Sequence, residues 1–147
     1  MSGLLLHGPA DIFARLLIVD GKGADPDVGG AWLVYVSNEP NEPDNCLFTK
    51  DTSPRLGGFN MPDQEQHELY GIQLKIRAKD YPTGISKFNQ LKVAVNDYTR
   101  MTVTINTTAY EITTVVMNSI ILGYNTPKDR RWSGFINLIA AITMTAQ

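Results

Sequence analysis

Cysteine is nearly absent from this chain: Cys46 stands alone in 147 residues. One thiol excludes an intrachain disulfide and a thiolate zinc site built from a single chain, and it fits a reducing compartment. Histidine is almost as scarce, with only His7 and His67, so a nucleophile that needs a base and a group to orient that base has little to draw on. Excess charge is missing too. Thirteen basic and fifteen acidic residues leave a net charge of -2, which gives no general affinity for nucleic acid. Long hydrophobic runs are also lacking. Leu4, Leu5 and Leu6 look like a signal-peptide core, but no basic residue precedes them and His7, Gly8 and Pro9 end the run. No stretch reaches the roughly 20 apolar residues of a membrane span. The expectation is a soluble, cytosolic protein.

What is present suits one packed domain spanning residues 1–147. Hydrophobic residues make up 43% and charged residues 19%, enough apolar surface for one core and too few charges for disorder. The charges are unevenly divided. Residues 1–66 hold ten acids and four bases, net -6, whereas residues 67–147 hold five acids and nine bases, net +4. Either the halves interleave and the difference averages out, or the subunit is polar and its unlike faces dock head to tail.

Along the chain, Ile12, Phe13, Leu16, Leu17 and Val19 follow Pro9 at helical spacing and stop before Gly21, which predicts an N-terminal amphipathic helix. A glycine-rich connection at 21–30 leads to a β-branched and aromatic run, Trp32 to Val36, the first strand. Turn residues from Asn38 to Asn45 predict a hairpin to a second strand, Cys46 to Thr49. From Asp51 to Gln66 there is no periodic signal, so a long loop is expected there. Tyr70 to Lys79 alternates strictly: Tyr70, Ile72, Leu74, Ile76 and Ala78 form one face, and Gly71, Gln73, Lys75, Arg77 and Lys79 the wet one. Tyr81-Pro82-Thr83-Gly84 opens a second helix carrying Ile85, Phe88, Leu91, Val95 and Tyr98. Strands are predicted at Thr102 to Ile105, at Ile112 to Met117 with Ser119 to Leu122 continuing it, and from Trp132 towards Thr145. A turn-rich tip at about 124–132 lies between the last two. The order α-β-β-β-α-β-β-β gathers strands in runs, which predicts an α+β fold: a mostly antiparallel sheet with the two helices packed on it.

Motifs that carry chemistry are thin. Cys46 with His67 would be a nucleophilic pair, but a buried structural thiol is the plainer reading. Asp63, Glu65 and His67 recur at every second residue as metal ligands sometimes do, although a polar loop entering a strand explains them as well. Gly21-Lys22-Gly23 lacks the remainder of a P-loop. Asn106-Thr107-Thr108 matches a glycosylation sequon and reads as a turn. Lys75, Arg77 and Lys79 beside Gln73 would track phosphates or simply wet one side of a strand. None of this predicts catalysis, a metal or a cofactor, and the chain is expected to be a non-enzymatic building block.

Several phrases together resemble the tail terminator (tail completion, or minor capsid) proteins of long-tailed bacteriophages. They are Pro-Ala-Asp-Ile-Phe-Ala-Arg-Leu-Leu at 9–17, Trp-Leu-Val-Tyr-Val-Ser-Asn-Glu-Pro at 32–40, Gly-Ile-Gln-Leu-Lys-Ile-Arg-Ala at 71–78, and Tyr-Asn-Thr-Pro-Lys-Asp-Arg-Arg-Trp at 124–132. The resemblance implies a virion protein assembled in the bacterial host cytoplasm. Such a protein forms a homo-hexameric ring at the head-proximal end of the tail, ends polymerisation of the tail tube, and joins the tail to the head-neck. Its implied partners are the tail tube protein on one face and a head-completion or neck protein on the other, with genomic DNA passing through the lumen without sequence-specific binding. The acidic half is expected to face that lumen. Alternatives are a head-completion, neck or tail-tube subunit, and a monomeric module binding nucleic acid or protein. The expected subunit or partner contacts are Arg55, Phe59 and Met61 in the first long loop and Tyr124, Lys128, Asp129, Arg130 and Arg131 in the second.

Overall fold

The computed structural model describes residues 6–37, 44–60, 65–121 and 131–144, with the backbone alone at 53–60, 65–68 and 118. Its fold is α+β. Two helices, α1 (Pro9–Val19) and α2 (Tyr81–Asp97), pack on a sheet of six strands: β1 (Leu33–Val36), β2 (Cys46–Asn60), β3 (Glu65–Ala78), β4 (Thr99–Ile105), β5 (Thr108–Ile121) and β6 (Trp132–Met144). The spatial order is β1-β2-β3-β6-β5-β4, and every pairing is antiparallel except β1 with β2.

Pro9 sets the first turn of α1, since its ring fixes φ and its missing amide hydrogen has no intrahelical partner there. Ala10, Ile12, Phe13, Leu16 and Leu17 are fully buried, four of them from the predicted stripe, whereas Val19, its fifth member, is 64% exposed. The helix ends where Gly21 takes φ 79°, letting the amides of Lys22 and Gly23 return to the Leu17 carbonyl at 2.9 and 3.2 Å. Helix α2 starts on Asp80, whose carboxylate accepts from the Thr83 amide at 2.9 Å. That hydrogen bonding, with the Thr83 hydroxyl contributing most, holds the Asp80 carboxyl below its ordinary pKa.

Both helices lie over the same face. Helix α1 touches β4 near one edge and β1 and β2 near the other, while α2 crosses β3, β6 and β5. The sheet therefore curls around α1. The core alternates along β6, where Trp132, Gly134, Ile136, Leu138, Ala140 and Ile142 are buried and the residues between them are half-buried or exposed. Trp132 lies flat because two glycines leave room for it. A methyl group at Gly84 would overlap the indole, and one at Gly134 would come within 2.6 Å of it. Phe88 meets the same indole edge to face, with centroids 5.9 Å apart.

Two connections differ from expectation. First, β1 runs parallel to β2, with Leu33 opposite Cys46 and Val36 opposite Thr49, so the predicted hairpin is not formed. The residues between the strands, 37–45, reach about 30 Å when extended. A four-residue strand is about 13 Å long, so the chain can return to the start of β1 before β2 begins. Ser37, at φ 62°, turns the chain out of β1 while its amide donates to the Thr49 carbonyl at 2.8 Å.

Second, the long loop expected at 51–66 is mostly strand. β2 continues to Asn60 and β3 begins at Glu65. Register shifts fall between Thr52 and Arg55 and again between Leu56 and Phe59. Each places one extra residue in β2, and an extra residue breaks the two-residue period by which a strand is read from sequence. Among the described residues, β3 has no pairing with β6 beyond Leu69, which pairs with Ala141, and β1 pairs with β2 only as far as Thr49. From Arg55 to Asn60 and from Glu65 to Glu68 the two strands pair, among the described residues, only with one another. They form an arm that leaves the body of the sheet.

Candidate interaction surfaces

The expected contact residues now have places. Arg55 and Phe59 lie on the arm, opposite Leu69 and Gln66. Met61, Tyr124, Lys128, Asp129 and Arg130 lie outside the described residues, as does most of the tip expected at 124–132. Arg131 precedes β6 and grips Asp44, with Nη2 at 2.7 Å and Nε at 2.9 Å from Oδ1. It fastens the start of β6 to the residues entering β2. A partner that recruited it would compete with this pair.

The basic stripe is not the wet face that alternation suggests. Arg77 is only 6% exposed. Lys75 is half-buried with its Nζ 5.6 Å from the centre of the Phe135 ring, a cation-π distance. Gln73 donates to Asn137 at 3.0 Å, and Asn137 donates to Ser119 at 3.0 Å, which links β3, β6 and β5 through side chains. Lys79 alone of the three cations is well exposed. Neighbouring strands cover this face of β3 because they bring aromatic rings to it. Across the sheet, Tyr35 stands beside Phe48, Phe48 beside Lys75, Lys75 beside Phe135, and Phe135 beside Ile121. No single strand's pattern contains that row.

Cys46 is fully buried. It pairs in register with Arg77, ten residues of extended chain from His67, which is on the order of 30 Å. The two do not form a nucleophilic pair. Of the spaced trio, Asp63 lies outside the described residues, and Glu65 and His67 are backbone positions on β3. Among the described residues, no three His, Cys, Asp or Glu side chains gather as metal ligands. His7 packs edge to face on Tyr110, its Nδ1 2.6 Å from the Tyr110 hydroxyl. Asn106 and Thr107 form the two-residue turn between β4 and β5, with Asn106 at φ 57°.

Sequence reading missed Lys87. It stands four residues before Leu91, at the edge of the α2 stripe, and is only 8% exposed. Its ammonium donates to the Lys22 carbonyl at 2.5 Å and to Gln90 Oε1 at 2.9 Å, and sits 5.3 Å from the centre of the Trp32 ring. Burial, and then the charge of Lys22, lowers its pKa. Trp32 itself holds φ 59°, a costly conformation for a bulky residue. A shallow hollow of about 410 Å³ lies beside them, lined also by Thr83, Ser86 and Gln90. Both hydrogen bonds of Lys87 go to protein groups, so it works as a staple between α2 and the 22–32 connection. A nearby clasp joins the helix ends: Tyr98 donates to Asp20 at 2.8 Å. Burial, that hydrogen bond and the Asp20 charge raise the phenol well above its ordinary pKa.

Among the described residues, one unpaired sheet edge lies along the outer side of β5, besides those of β1 and β4 at the two ends of the sheet. β4 pairs with β5 only from Thr108 to Thr114, whereas β6 pairs with it up to Ile121. Among the described residues, Val115 to Ile121 therefore has a strand on one side only. The stretch Val-Val-Met-Asn-Ser-Ile-Ile carries no charge and no proline. Val116, Ile120 and Ile121 are 56%, 40% and 51% exposed. Edge strands are ordinarily blunted by charge, proline, brevity or a bulge; this one has only the register shift between Met117 and Ser119.

No family model matches the chain, and no curated protein matches it. No described helix is long and apolar enough to cross a membrane.

Proposed function

We propose that this protein is the tail terminator of a long-tailed bacteriophage, acting by geometry as a ring at the head-proximal end of the tail. The observation that carries the reading is the arm together with the bare β5 edge. Both are contact features left over once the core has been assigned, and both suit a subunit that completes itself against neighbours. The resemblance of the segments at 9–17, 32–40 and 71–78 supports it, since these fall on α1, on β1 with its flanks, and on β3.

In this reading the ring caps the last layer of tail tube with one face and offers the other to a head-completion or neck protein. Native mass spectrometry of the purified protein, alone and added to tube assembled without it, gives six copies in one or both conditions. Tails assembled without the protein grow overlong. Dimers in both conditions, with tails of normal length in its absence, overturn the reading. A nucleic-acid-binding module has less to stand on, because two of the three cations on β3 are engaged within the fold. Salt-sensitive binding to a DNA duplex would be its mark.

A further inference from the structure

We draw no further inference here: the strongest candidate, the exposed apolar edge of β5 at Val116, Ile120 and Ile121, stands beside the edges of β1 and β4 at the ends of the sheet, and nothing in the structure shows what covers it.

Discussion

Strands β2 and β3 lead two different lives along their length. From Cys46 to Thr49, β2 has β1 on one side and β3 on the other, and from Leu69 to Ala78, β3 lies between β2 and β6 with helices above. Past Arg55 and Leu69 the same two strands have, among the described residues, only each other. Two strands alone are marginal in water, so the body and the arm obey different rules. In the body, each side chain on the helix face is fixed by what it touches. In the arm, the described structure is the main-chain pairing of two strands.

Substitutions in the body should therefore be costly, and Trp132→Ala the costliest, because it empties the pocket between α2 and β6. A loss of about 3–5 kcal/mol in denaturant unfolding is expected. Gly84→Ala sharpens the point, since two effects oppose. Alanine favours a helix by up to about 1 kcal/mol, but its methyl overlaps the Trp132 indole, an overpacking that costs about 1–3 kcal/mol. The clash wins, and the variant unfolds at lower denaturant. Thr49→Val keeps the shape of a fully buried side chain but removes its donation to the Ala10 carbonyl, at an expected cost of about 1–3 kcal/mol.

Alkaline pH provides a smaller test. The Tyr98 phenol is raised in the folded chain, so its contribution is fully present below the unfolded tyrosine pKa of about 10 and is lost as pH rises beyond it. Unfolding followed from pH 8 to 11 should show stability falling above about pH 10, and Tyr98→Phe should flatten that fall. The arm gives the smallest resistance of all. Amides of 55–60 and 65–68 should exchange with solvent far faster than those of 72–76 in the isolated chain, and slow on assembly. Equal protection in both regions before assembly would erase the contrast.

Where one element carries its own pattern, the sequence can be read directly. Both helices, the alternation of Tyr70 to Ala78 and the antiparallel character of the sheet come from the spacing of residues such as Ile12, Phe13, Ile72 and Leu74. The arm was hidden because two extra residues in β2 scramble its alternation. The parallel β1 was hidden because turn residues report that a chain turns but not where it goes next. Burial of Arg77 and the ring over Lys75 depend on Ser133 and Phe135, nearly sixty residues away, and Lys87 depends on a carbonyl at Lys22. Of the expected contact residues, Arg55 and Phe59 fall on the arm, but the β5 edge passed unnoticed. A missing partner leaves no mark on the residues themselves.

Ala10 has both of its main-chain groups gripped by β2. Its amide donates to Asp51 at 2.9 Å and its carbonyl accepts from Thr49 at 3.1 Å, while Gly8 offers no side-chain cap. An eleven-residue helix is too short to persist alone, and this one has its N-terminal capping group forty residues downstream. The helix is therefore conditional on the strand: its first turn is complete only when β2 is in place.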